Sequence, residues 1–152
     1  MTGPARILRA TTAHVAYWAT MRAALWPDAS VEDHREEIVA QLRDQGQDSV
    51  AFLAFDAQEQ AVGFVEAALR HDYVNGCDTS PVAFLEGLYV EPAARRTGAA
   101  RALVDAAVAW GRALGCTEMA SDADIANHVS HLLHAALGFT ETERVVYFRK
   151  LI

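Results

Sequence analysis

Apolar and polar positions recur along this chain with two periods, and the switches between them outline its elements. Arg6–Ala10 reads as a short first strand. Val15, Trp18, Met21, Ala24 and Leu25 then recur at helical spacing and predict a helix over 13–25, capped by Thr11 or Thr12. Trp26-Pro27-Asp28 ends it, because the residue before a proline avoids the α region. Ser30 with Asp33 makes a capping-box pattern for a second helix. Its buried side is Ile38, Val39 and Leu42, and Gly46 suits its stop.

Ser49–Phe55 and Ala61–Leu69 are apolar runs joined by a polar turn through Asp56–Gln60, so both read as strands. The segment 70–81 is loop-like, with Asn75-Gly76 as a turn signal. Pro81–Val90 forms the central strand. Leu103, Val104, Ala107, Val108 and Gly111 predict a long helix over Gly98–Leu114, stopped by Gly115. Thr117–Ser121 follows as a strand, Ile125–Leu137 as a helix ended by Gly138, and Val145–Lys150 as a final strand. Adjacent strands early and helical crossovers late give a mixed α/β fold. With no repeat, linker or low-complexity stretch, residues 1–152 are expected to form one domain.

Composition narrows the class. A chain that is 52% hydrophobic and 22% charged suits a soluble globular protein. Its apolar runs are too short for a bilayer, so no membrane partner is expected. Arg6 and Arg9 interrupt the apolar residues near the start, which leaves no signal pattern and points to the cytoplasm. Thirteen Lys and Arg against 20 Asp and Glu give a net charge of −7. That balance disfavours nucleic acid and suits a polycationic ligand. Cys77 and Cys116 are isolated, as expected of reduced cytosolic thiols. His128, His131 and His134 share one predicted helix, but no Glu stands between them in a metalloprotease pattern. No metal is expected.

Chemistry concentrates where the central strand ends. The strand Phe84-Leu85-Glu86-Gly87-Leu88-Tyr89-Val90 runs into Pro92, a short basic loop and the start of the long helix. Free backbone N–H groups at a helix N-terminus bind pyrophosphate well. Gly98, Ala99 and Ala100 let phosphate oxygens approach the backbone, while Arg95 and Arg96, just before Thr97, add positive charge beside it. Glu86 lies just upstream, a carboxylate in an apolar strand that requires a partner or a task. It suits a base that accepts a proton from an ammonium; the competing reading is an outward-facing or salt-bridged Glu.

Arg95-x-x-Gly98-x-Ala100 resembles the acetyl-CoA pyrophosphate loop of the GNAT N-acetyltransferase superfamily. Leu25-Trp26-Pro27, Arg70-His71-Asp72-Tyr73-Val74-Asn75-Gly76-Cys77-Asp78, Met119-Ala120-Ser121-Asp122 and Leu137-Gly138-Phe139-Thr140-Glu141-Thr142-Glu143-Arg144-Val145 follow in order. Together they closely resemble the aminoglycoside 6'-N-acetyltransferases over nearly the whole chain. The resemblance implies a GNAT fold, a central mixed and partly splayed β-sheet flanked by about four helices. It also implies acetyl-CoA as co-substrate and an aminoglycoside acceptor, with antibiotic resistance as the outcome. Family members are commonly homodimers, and Val145–Phe148 could supply an interface.

The same resemblance assigns roles residue by residue. Leu88, Tyr89 and Val90 would pair the pantetheine arm along the strand edge. Asn127 would hydrogen-bond its amides. Asp122 would contact the acceptor and serve as a second candidate base; the alternative is that Asp122 or Asp124 caps the next helix. Trp26, Tyr73 and Glu143 match acceptor-contacting positions. His134 stands where many members carry a tyrosine acid, and Tyr147 is a rival donor otherwise read as core or interface. Asp28 and Ala29 follow Trp26-Pro27 where relatives carry Gly-His, which bears on acceptor range rather than reaction type.

Acetyl transfer by direct amine attack is the leading expectation, since neither Cys has a matched His and carboxylate nearby in sequence. The alternatives are a GNAT enzyme acting on a protein or polyamine amine, and a non-catalytic acyl-CoA-binding module.

Overall fold

The computed structural model describes residues 5–43 and 48–152. Five strands run β1 (Arg6–Arg9), β2 (Ser49–Phe55), β3 (Ala61–Arg70), β4 (Val82–Val90) and β5 (Met119–Ser121). They lie side by side in chain order, antiparallel from β1 to β4 and parallel between β4 and β5. The helices are α1 (Val15–Leu25), α2 (Val31–Arg43), α3 (Ala99–Ala113) and α4 (His128–Ala136). Among the described residues, no helix is long and apolar enough to cross a membrane.

Side chains alternate between sheet faces, and both faces are covered. Ala51, Leu53, Phe55 and Phe64 pack with Trp18, Met21 and Ile38 from α1 and α2. Val50, Ala54, Val65, Ala67 and Leu85 pack with Ala99, Leu103 and Ala107 from α3. Burial on two faces explains why these strands are nearly continuous apolar runs.

Local chemistry sets the helix starts. The Thr11 backbone N–H donates to His14 Nδ1 at 3.1 Å before a 3-10 turn, Thr12–His14, leads into α1. Asp33 N–H donates to Ser30 Oγ at 3.0 Å and Ser30 N–H to Asp33 Oδ2 at 3.3 Å, the capping box expected for α2. The expected stop at Gly46 lies outside the described residues.

Three expectations are corrected. Ala24 is exposed, since the buried stripe of α1 is Trp18, Ala19 and Met21. Helix α4 begins at His128, not Ile125, because Asp124 Oδ1 accepts the Ala126 N–H and closes a turn first. Val145–Lys150 forms no strand: Val146, Tyr147 and Phe148 are 77%, 83% and 92% exposed. A β-prone run becomes a strand only against a partner row, and this segment does not return to the sheet. Tyr147 is therefore not a core residue.

Candidate active site

The sheet splays where β4 and β5 part. Their pairing covers only Ala83–Leu85 against Met119–Ser121, so among the described residues Glu86–Val90 have no strand partner on the β5 side. On the other side, Glu66 pairs with Gly87 and Ala67 with Leu85, and the register skips Glu86. Glu86 is thus the extra residue of a β-bulge, a device that turns one side chain out of the ladder. Its neighbour Gly87 is glycine for a steric reason: a Cβ there would lie 2.5 Å from the Trp26 ring. The absence of that Cβ lets the indole lie against the strand beside Glu86.

Glu86 already has a cationic partner. Arg70 Nη2 donates to its two carboxylate oxygens at 3.0 and 3.2 Å, and the guanidinium lies 3.6 Å from the centroid of Phe84. Trp26 and Glu86 line one recess, with Arg22, Gln41, Ser49 and Glu66. Tyr73, Asp122 and Glu143 line an adjoining cleft of about 910 Å³, together with Ser121, His134 and Arg70. All five proposed acceptor residues therefore sit on two neighbouring depressions, with Arg70 reaching from one to the carboxylate of the other. Asp122 is exposed at the end of β5, while Asp124 makes the local turn.

Past β4, the chain makes a 3-10 turn, Pro92–Ala94, and a loop with positive φ at Arg96 (65°) and Gly98 (85°). Gly98 is the N-cap of α3, and no side chain caps that helix. The first backbone N–H to find a helical acceptor is that of Ala102, on Gly98 O. The N–H groups of Ala99 and Ala100 therefore precede the helical ladder, in the position where a helix N-terminus can receive an anion. Arg95 Nε donates to Val90 O at 3.1 Å and Thr97 Oγ1 to Ala94 O at 2.6 Å, which braces the loop. Leu88 and Tyr89 are half-buried on the open strand edge, with Val90 buried at its end. The Tyr89 hydroxyl donates to Glu91 at 3.2 Å, and burial raises its pKa.

Asn127 is the N-cap of α4, its side-chain oxygen accepting Ser130 N–H at 3.1 Å. His134 sits on the same helix facing β5. Its Nδ1 lies 2.7 Å from the Ser130 carbonyl, which can only accept, so Nδ1 carries the proton in the neutral ring. Nε2 is then the acceptor, 2.8 Å from Ser121 Oγ. Burial raises both thiols, at Cys77 and at Cys116, which disfavours the nucleophilic thiolate. Among the described residues, no three His, Cys, Asp or Glu side chains gather as a metal site.

Two features escaped the sequence reading. Glu118 Oε1 accepts the N–H groups of Asp78 and Thr79 at 2.9 and 2.8 Å and the Thr79 hydroxyl at 2.5 Å. These bonds tie down the loop that carries Tyr73 and hold the Glu118 carboxyl below its ordinary pKa, the Thr79 hydroxyl contributing most. Glu66 is buried behind Glu86, and desolvation pushes its pKa up against the opposing charge of Arg22. The same cost argument that singled out Glu86 could have found Glu66, another carboxylate in an apolar strand. Glu118 had no comparable signal, because its partners lie about 40 residues away in sequence.

The acetyltransferase (GNAT) family matches this chain over residues 17–139. An aminoglycoside N(6')-acetyltransferase type 1 of Serratia marcescens is 52% identical over 135 residues, covering 89% of this chain and 91% of the relative. The protein of that name from Stenotrophomonas maltophilia is 50% identical over 143 residues, covering 94% and 91%. Among solved structures, the apo aminoglycoside antibiotic 6'-N-acetyltransferase AAC(6')-IG of Acinetobacter haemolyticus is similar at a TM-score of 0.90. It is 44% identical, over 97% of this chain and 99% of that one. AAC(6')-Iy in complex with the bisubstrate analog CoA-S-monomethyl-acetylneamine gives a TM-score of 0.88 at 42% identity, over 99% and 100%. With identity on this scale along nearly its whole length, the chain belongs to the GNAT acetyltransferase family, among the aminoglycoside 6'-N-acetyltransferases.

Proposed function

We propose that this protein transfers the acetyl group of acetyl-CoA to the 6'-amino group of an aminoglycoside, and that the modification confers resistance. The observation that carries this reading is the bulge that projects Glu86 at the mouth of the splay, one strand-length from the anion-binding loop. Acetyl-CoA supplies the activated thioester. The N–H groups of Ala99 and Ala100, with the positive charge of Arg95 and Arg96, hold its pyrophosphate. The open edge at Leu88, Tyr89 and Val90 pairs its pantetheine arm, and Asn127 at the start of α4 hydrogen-bonds the amides of that arm.

The acceptor's ammonium must lose a proton before it attacks. Glu86 takes that proton, directly or through water, with Asp122 as the second carboxylate on the acceptor. Trp26 and Tyr73 offer flat apolar faces to sugar rings, and Glu143 offers charge to their ammonium groups. Attack is direct, and the amine ends as an amide. The departing thiolate needs a proton, for which His134 beside Ser121 and the exposed Tyr147 are the candidate donors.

Thiol release from acetyl-CoA with kanamycin, tobramycin and a 6'-hydroxyl aminoglycoside tests the reading. Turnover with the 6'-amino drugs alone is the expected result. Acetyl-CoA binding without turnover on any of them would shift the assignment to a protein or polyamine acceptor, or to a non-catalytic module.

We also read the protein as a cytoplasmic homodimer. The exposed apolar run Val145–Phe148, extended by Leu151 and Ile152, supports a second copy as its cover. A single-chain mass in solution at micromolar concentration would overturn this.

A further inference from the structure

Arg22 and Glu66 form a buried ion pair that the chemistry above does not use. Glu66, 5% exposed, lies on β3 as the last residue in register before the ladder skips Glu86. Arg22 lies in the last turn of α1, its side chain 11% exposed. Arg22 Nε is 3.3 Å from Glu66 Oε2, a charge contact without hydrogen-bond alignment. The same guanidinium reaches Glu37 on α2, with Nη2 3.1 Å from Oε2, and its carbon lies 5.1 Å from the centroid of the Trp26 ring. Its backbone carbonyl accepts the Trp26 N–H at 2.7 Å.

A buried pair of this kind is weak evidence for stability, because desolvation offsets the attraction and apolar residues of similar volume often serve as well. A planar guanidinium does something an apolar side chain cannot. It fixes direction toward several partners at once. Here those partners are the bulge that projects Glu86, the second helix, and the indole that covers Gly87.

We propose that Arg22 and Glu66 are positioning residues for acetyl transfer, joining the bulge that carries Glu86 to the helix end that carries Trp26. Neither touches the reacting atoms. The pair sets the spacing between the base and the aromatic wall of the acceptor recess, and so acts on the acceptor half of the reaction. The coenzyme half, built on α3 and the far end of β4, is independent of it.

This inference rests on the proposed function, whose failure would already be seen in the wild-type thiol-release assay. With wild-type turnover established, three variants decide. Glu66→Gln removes the buried counter-charge of Arg22 and leaves it only the exposed Glu37, and is expected to lower acceptor kcat/KM at least tenfold with acetyl-CoA KM within twofold. The double variant Arg22→Met/Glu66→Leu removes both charges, and is expected to regain the Tm lost by the single variant while acceptor kcat/KM stays at least tenfold down. Arg22→Lys keeps a positive charge beside Glu66 and hence the fold, but loses the planar fork. Its acceptor kcat/KM is expected to fall at least threefold, again with acetyl-CoA KM unchanged. Recovery of acceptor kcat/KM to within twofold of wild type in a folded double variant would overturn the proposal. So would an unchanged Arg22→Lys enzyme, which decides the matter if the double variant does not fold.

Discussion

Glu86→Gln is expected to lower kcat/KM for the aminoglycoside by roughly 10²–10³, the usual effect of removing a general base. That is about 3–4 kcal/mol of transition-state stabilisation. Glutamine keeps the shape of the side chain and its place in the bulge, so the strand and Trp26 remain where they are. It loses the capacity to accept the proton that the amine must shed. Acetyl-CoA affinity should stay within about twofold, because the anion-binding loop lies beyond the far end of β4. The check is steady-state kinetics with each substrate varied in turn, and a titration of acetyl-CoA alone. A loss smaller than about tenfold would move the base to another group, with Asp122 next in line. Loss of acetyl-CoA binding would mean that the substitution had disturbed the strand rather than the chemistry.

Trp18→Ala carries the largest expected effect on stability. Trp18 heads the fully buried side chains by volume and packs in the cluster that joins α1 and α2 to the sheet, with Ile38, Leu53 and Phe64. Deleting a buried aromatic of this kind costs about 3–5 kcal/mol. A domain of this size holds only about 5–15 kcal/mol in total, so the variant should lose a large share of its stability. Urea unfolding followed by far-UV circular dichroism measures the loss. A change under about 1.5 kcal/mol would show that neighbouring side chains close the space, against the close packing described above.

Much of this architecture was legible in the sequence, for identifiable reasons. Strand β2 matches its sequence reading to the last residue because polar sequence bounds it on both sides and both of its faces are apolar. Helix α3 was legible because Leu103, Val104, Ala107 and Gly111 keep one buried stripe, and Gly98 and Gly115 punctuate it with positive φ. The start of α4 was misread because periodicity runs through Ile125 while the side chains of Asp124 and Asn127 spend their hydrogen bonds on a turn and a cap. The last strand was misread because alternation measures what a segment prefers, and pairing depends on what lies beside it. His34 was passed over on a largely charged helix, yet it is buried, its Nε2 3.0 Å from the Trp26 carbonyl.

The candidate site divides in the same way. Phosphate-loop chemistry is local, and a few consecutive residues display it. The recess around Glu86 is assembled from distant segments, so its supporting residues had to be seen in space. Glu86 meets the competing reading on both counts, since it is outward-facing and salt-bridged at once, and its role as base is the proposal made above.

The Arg70–Glu86 bridge turns entry of the drug into an ion exchange. An ammonium group that meets Glu86, as proposed above, competes with a resident guanidinium for the same two oxygens. Because this bridge is partly exposed, it is worth about 1 kcal/mol or less, a low threshold for a multiply charged ligand. A singly charged amine brings one charge to replace one charge and gains little from the swap. A polycation pays the same toll once and keeps the attraction of its remaining charges. With Glu86 as the proposed meeting point for the acceptor, the bridge would act as a counter-ion filter, one that discriminates by valence before any sugar ring is recognised.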